Sequence, residues 1–72
     1  MSISTDDLVK IVEAGGGLTL DAETKAKDEL VRIATAAAGS EAGVTFRNVT
    51  ALAVDDLVEI ATAGDGCITF EF

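Results

Sequence analysis

Asp6-Asp7-Leu8-Val9-Lys10-Ile11 returns twice along the chain, as Asp28-Glu29-Leu30-Val31-Arg32-Ile33 and as Asp55-Asp56-Leu57-Val58-Glu59-Ile60. Each copy starts with two acidic residues, continues with apolar residues at helical spacing, and leads through glycine into a short alternating segment. These segments are Leu18-Thr19-Leu20, Val44-Thr45-Phe46 and Ile68-Thr69-Phe70. The chain therefore repeats one unit of helix, turn and strand, and such repetition is the strongest guide to its fold.

The alternation predicts how the strands are covered. Side chains of a strand point alternately to its two faces, and here one face is apolar and the other polar. Helix–strand order predicts parallel strands joined by right-handed crossovers. Strands covered by helices on both faces would read as continuous apolar runs. We therefore expect an α/β fold of two layers, with a three-stranded parallel sheet in the order 1-2-3 and all helices on one face, forming a solenoid-like arc.

One domain, residues 1–72, is expected to hold the repeats at about 4–21, 23–47 and 51–72. The first helix is predicted to begin near Ser4, and the second to run from Glu23 to Ala38 with Gly39 as its stop. The residues predicted to face inward are Leu8, Ile11, Val12, Leu30, Ile33, Ala34, Ala37, Leu57, Ile60 and Ala61.

Composition limits the function. The chain has 72 residues, a net charge of −8, one cysteine and no histidine. The charge disfavours nucleic acid and anionic membranes as partners. A single cysteine without a recognisable signal peptide predicts a cytoplasmic protein. Because so short a chain buries only a small core, self-association is the expected source of extra stability.

No residue pattern indicates an enzyme, a metal site or a cofactor. Gly15-Gly16-Gly17 follows a helix, whereas phosphate-binding glycines follow a strand and open a helix. The acidic pairs recur once per repeat, as a device that complements helix dipoles would. Cys67 is expected on the polar face of the last strand, and Asn48 is expected to bond its own backbone in a turn.

The alternation of strand and helix, with Leu18-Thr19-Leu20 and Val44-Thr45-Phe46 matching a Leu-x-Leu core, resembles the leucine-rich repeats of the ribonuclease-inhibitor type. That resemblance implies a curved two-layer solenoid. Asn48 stands one residue before the position of the asparagine in that consensus. Ser4-Thr5-Asp6-Asp7-Leu8-Val9 is also similar to short bacterial proteins of unassigned role, which imply no activity.

Two surfaces are candidate sites. The first is the edge of the last strand, which lacks the proline or lysine that commonly protects an edge. Its residues are Cys67, Ile68, Thr69, Phe70, Glu71 and Phe72. The second is a polar ladder across the open sheet face, where Arg47 is expected to lie between two carboxylates. Its residues are Thr19, Asp21, Thr45, Arg47, Thr69 and Glu71.

These surfaces favour a non-enzymatic interaction or self-assembly module. Antiparallel pairing of the last strand with its copy about a two-fold axis predicts a homodimer at micromolar concentration. The alternative is an acidic inhibitor or decoy that binds a basic protein, as the net charge allows.

Overall fold

The computed structural model describes residues 4–72, so the first three residues of the predicted domain 1–72 lie outside the described residues. Three helices alternate with three strands. The helices are α1 (Thr5–Glu13), α2 (Lys27–Ser40) and α3 (Val54–Gly64), and the strands are β1 (Leu18–Asp21), β2 (Val44–Arg47) and β3 (Ile68–Glu71). Short 3-10 turns at Ala22–Thr24 and Val49–Ala51 connect a strand to the helix that follows it.

The three strands form one parallel sheet in the order β1-β2-β3, which confirms the predicted direction and order. Leu18 pairs with Val44 and Val44 pairs with Ile68, so equivalent residues of the three strands lie side by side. The polar face of the sheet is open at Thr19 and Thr69, while Thr45 is half-buried between them.

The helices cover the other face in a row, with α2 between α1 and α3. One apolar cluster joins this row to the sheet. Its largest fully buried side chains are Val12, Leu30, Ile33, Val44, Phe46, Val49 and Ile60. The fold is therefore a two-layer α/β arrangement, as the alternating strands predicted.

The start of α2 differs from the prediction. The residues from Ala22 to Thr24 form a 3-10 turn, so the helix begins at Lys27 and not at Glu23. Asp21 causes this break, because its Oδ1 accepts a hydrogen bond of 2.9 Å from the backbone N–H of Glu23. An aspartate that caps a turn in this way competes with continuation of a helix.

The end of α2 also differs. Gly39 lies inside the helix, which continues to Ser40 and stops at Glu41, a residue with a left-handed φ of 61°. The Ser40 hydroxyl has one hydrogen to donate, and its oxygen lies 2.5 Å from the carbonyl oxygen of Val12 and 3.1 Å from that of Ala36. The first of these contacts ties the end of α2 to the end of α1.

The apolar stripes of the two outer helices are narrower than predicted. Ile11 is 41% exposed and Ala61 is also exposed, although both were predicted to face inward. Among the described elements, α1 and α3 each have a helix on one flank only, so residues on the other flank face solvent. In α2, which has a neighbour on each side, all the predicted inward residues are buried.

Candidate functional site

The polar ladder is assembled by the register of the sheet. Asp21 pairs with Arg47, and Arg47 pairs with Glu71, as the repeat alignment predicted. The Nε of Arg47 lies 3.4 Å from Oε1 of Glu71, with both side chains more than half exposed. Exposed pairs of this kind contribute at most about 1 kcal/mol. The ladder therefore helps to fix strand register and offers no enclosed chemistry.

Asn48 adds a contact that the sequence did not predict. It takes the left-handed conformation with φ 57°, and its Nδ2 donates a hydrogen bond of 3.0 Å to Oδ2 of Asp21. The expected bond to its own backbone is thus replaced by a link to the neighbouring turn. The connection after β2 is one residue longer than the connection after β1, and Asn48 is the additional residue. After β1, the 3-10 turn follows Asp21 directly.

The outer edge of β3 has no neighbouring strand among the described residues. Ile68 and Phe70 are half-buried beneath the helices, and the Phe70 ring lies 6.4 Å from the ring of Phe46. Phe72 follows the strand and is 81% exposed. The predicted interface residues thus include one large aromatic side chain that is almost fully in solvent.

α3, the helix that leads into β3, carries an exposed apolar stripe. Val54 is 73% exposed, Val58 is 57% exposed, and Ala61 lies one turn further along. Lys27 of α2 contacts the opposite flank of α3. Its Nζ lies 3.6 Å from Oδ1 of Asp56 and 3.3 Å from Oε1 of Glu59. The stripe therefore lies on the flank away from α2. The sequence contained a signal for this stripe, because Val54, Val58 and Ala61 are spaced by four and three residues. Ala61, however, was assigned to the core.

Cys67 does not lie on the polar face. It precedes β3, is half-buried, and packs against the apolar core. Asp65 and Gly66 both have positive φ, so the strand alternation does not extend back through this turn. The backbone N–H of Val44 donates a hydrogen bond of 2.9 Å to the Cys67 carbonyl oxygen, which anchors the start of β3 to β2.

The charged groups form pairs between neighbouring helices. Arg32 of α2 donates a hydrogen bond of 2.6 Å to Asp6 of α1, and this bond and the guanidinium charge lower the pKa of the Asp6 carboxyl. The hydrogen bond between Lys27 and Glu59 raises the pKa of the lysine ammonium. These contacts join the N-terminal halves of neighbouring helices.

None of these groups forms an enclosed site. Among the side chains that the structure describes, none that is charged or polar is buried, and no three potential metal ligands form a cluster. An open groove between α1 and α2 has Glu13 and Arg32 as its only ionisable lining residues. Within the described part of the chain, no helix is both long and apolar enough to cross a membrane.

No family model, curated protein or solved structure matches this chain. The polar ladder and the outer edge of β3 with the stripe on α3 are therefore the features from which a function can be inferred.

Proposed function

We propose that the protein is a non-enzymatic self-assembly module and that it forms a homodimer through the β3 edge. We define the β3 edge as β3 with Phe72, together with the exposed stripe of Val54, Val58 and Ala61 on α3. The observation that carries the proposal is a strand edge that pairs with no other described strand and that is accompanied by exposed apolar side chains, of which Phe72 is 81% exposed. Strand edges of this kind pair readily with another chain.

Phe72, Val54 and Val58 are the large apolar side chains that such a dimer would remove from water. Burying a Phe or Val side chain that is otherwise in water contributes about 1.5–3 kcal/mol. A dimer doubles the number of side chains covered, since each copy contributes the same residues. A dissociation constant of about 1 μM corresponds to a binding free energy of about 8 kcal/mol. The free energy gained by burying these side chains must also offset the translational and rotational freedom that the two copies lose.

Sedimentation of the wild-type chain tests the proposal. We expect a dimer at micromolar concentration, and monomers after Phe72→Ser or Val58→Asp, because each variant removes apolar contact from the β3 edge. Thr35→Asp is the matched control. It adds a charge to the exposed side of α2, the central helix, and should leave the dimer intact. A wild-type chain that stays monomeric well above micromolar concentration would disprove the proposal.

A basic partner protein is the second candidate, which makes the chain an acidic inhibitor or decoy. The parallel topology places the acidic first turns of all three helices at one edge, as the contacts of Lys27 with Asp56 and of Thr5 with Glu29 indicate. A surface of concentrated negative charge attracts basic proteins. Retention by an immobilised basic protein that is lost on adding salt would support this candidate.

We also propose that the chain resembles leucine-rich repeats in forming a solenoid-like arc. A cytoplasmic location is part of the same proposal. Uniform register across the strands and the link from Asn48 to Asp21 are consistent with a solenoid-like arc. In such an arc each unit contacts only its neighbours, so a second copy of residues 22–47, which begins with the 3-10 turn, inserted after Arg47 should give a longer folded chain. An unfolded product would argue against the solenoid.

A further inference from the structure

We propose a specific geometry for this dimer: the two-fold axis passes beside Phe70 in the sheet and beside Val58 in the helical layer. The two copies then share one continuous six-stranded sheet with all six helices on one face. This inference rests on the proposed self-association and adds its register.

The backbone of β3 determines which groups are available. The Cys67 carbonyl oxygen accepts a hydrogen bond from the backbone N–H of Val44 and therefore points toward β2, while the Cys67 N–H donates to the Gly64 carbonyl oxygen in the turn. Backbone groups of successive residues in a strand point to opposite sides, so Thr69 and Glu71 also bond toward β2. The N–H and C=O groups of Ile68, Phe70 and Phe72 therefore point to the open side.

An antiparallel pair uses these groups when two outward-facing residues lie opposite each other and exchange both hydrogen bonds. An axis beside Phe70 places Phe70 opposite Phe70 of the second copy, and Ile68 opposite Phe72 of the second copy. It covers the exposed ring of Phe72 with the apolar face of the other strand. A shift of the axis to Thr69 would instead place Phe72 opposite Gly66, whose φ of +87° is not that of a strand.

The polar face is also compatible with this register. Thr69 lies opposite Glu71 of the second copy, where a hydroxyl can donate to a carboxylate. Hydroxyl and opposite-charge pairs across strands are favourable, whereas like charges directly opposite each other are not.

The helical layer independently points to the same axis. Phe70 lies three residues beyond Cys67, which is roughly 10 Å along a strand. The same distance measured back along α3 from Gly64 covers about six or seven residues, because a helix rises only about 1.5 Å per residue. It ends near Val58, the centre of the exposed stripe. The axis beside Phe70 thus brings Val58 against Val58 of the second copy.

Head-to-tail stacking of β3 on β1 is the competing arrangement. Continuation of the existing register would place Glu71 directly beside Asp21 of the next copy, since Glu71 and Asp21 occupy equivalent positions in their strands. Two carboxylates at adjacent positions of neighbouring strands repel each other. This repulsion favours the closed dimer over an open chain of copies.

Disulfide trapping distinguishes the arrangements. In a Cys67→Ala background, we expect a mixture of the Thr69→Cys and Glu71→Cys variants to form a covalent heterodimer on mild oxidation. In the proposed register these two Cα atoms are about 4.5–5.5 Å apart, within disulfide range. Either variant alone should cross-link poorly, because its two copies lie about 8 Å apart along the diagonal.

Thr69→Cys mixed with Thr19→Cys is the matched control, because head-to-tail stacking brings these two positions together. All three positions are exposed on the polar face, so the folded monomer should tolerate the changes. Trapping of Thr69→Cys by Thr19→Cys would overturn the axis. So would failure of all pairs to cross-link in a sample that sediments as a dimer, although self-association itself would then stand. A sample that sediments only as a monomer would overturn the proposed function together with its geometry.

Discussion

Gly64 of α3 lies directly against the side chain of Ile68 in β3. A Cβ atom added to Gly64 would lie 2.1 Å from Cγ1 and 3.1 Å from Cδ1 of Ile68. Gly64 is the last residue of α3 and is buried. The missing side chain therefore lets the helix approach the strand closely enough for Ile68 to pack in the core.

Gly64→Ala is expected to destabilise the protein by about 1–3 kcal/mol, the usual cost of forcing extra volume into a packed core. Ile68 would have to leave its position, and it lies in the strand that forms the β3 edge. Urea unfolding followed by circular dichroism measures the change, with the midpoint compared at constant protein concentration.

Gly39→Ala is the matched control for this substitution. Gly39 lies inside α2, and a Cβ atom there would meet nothing within 4 Å. Alanine is a better helix former than glycine by about 0.5–1 kcal/mol, so this variant should be more stable than the wild type. Equal losses in the two variants would show that close approach to Ile68 is not the reason for Gly64.

A second prediction concerns Asn48, which holds a left-handed conformation and donates to Asp21. Asn48→Ala loses both features and should cost about 1–2 kcal/mol. Asn48→Gly keeps the backbone preference and removes only the hydrogen bond, so its loss should be smaller. Thermal unfolding of both variants separates the two contributions. Identical losses would indicate that the backbone conformation contributes nothing.

The order and direction of the strands could be predicted because the alternation of Leu18-Thr19-Leu20 and its equivalents leaves only one apolar face. The buried face of α2 was also predicted correctly, because a central helix has a neighbouring helix on each flank. The start of α2 was predicted wrongly because the Asp21 cap is a local hydrogen bond that helical periodicity does not reveal. Ile11 and Ala61 were misplaced because helical spacing alone was taken to define the buried face, although the predicted order leaves α1 and α3 with a neighbouring helix on one flank only.

The β3 edge was likewise predicted in part. Its strand residues were predicted from the lack of protecting residues, but the contribution of α3 was missed. Cys67 was placed on the polar face because alternation was extended into a turn that the positive φ angles of Asp65 and Gly66 interrupt. These errors concern turns and outer flanks, where side-chain periodicity carries little information.

A third prediction follows from the lowered pKa of Asp6, which is caused first by its hydrogen bond from Arg32. A carboxyl whose pKa is lowered on folding stabilises the folded state when ionised. That contribution is present above the ordinary value of 3.8 and is lost as the pH falls below it toward the lower folded value. The free energy of unfolding of the wild type should therefore fall more steeply than that of Asp6→Asn in this acidic range.

Arg32→Gln supplies the control for the Asp6 prediction. In that background Asp6→Asn should barely change the pH dependence, because the partner that lowers the pKa is absent. Denaturant unfolding at several pH values around 3.8 provides the measurement. An undiminished effect of Asp6→Asn in the Arg32→Gln background would assign the pH dependence to another group.

The last prediction uses salt to separate the two proposed functions. Each copy carries a net charge of −8, so dimerisation brings like charges together, and the chain has no basic residue after Arg47. Added salt shortens the screening length from about 30 Å at 0.01 M to about 3 Å at 1 M, which weakens this repulsion. The dissociation constant of the dimer should therefore decrease as NaCl is added, whereas a complex with a basic protein should weaken.

Asp55→Asn combined with Asp65→Asn removes two exposed charges of α3 and its turn, so the salt dependence of dimerisation should become shallower in sedimentation experiments. A dimer that dissociates on adding salt would mean that opposite charges, and not the apolar β3 edge, hold the two copies together.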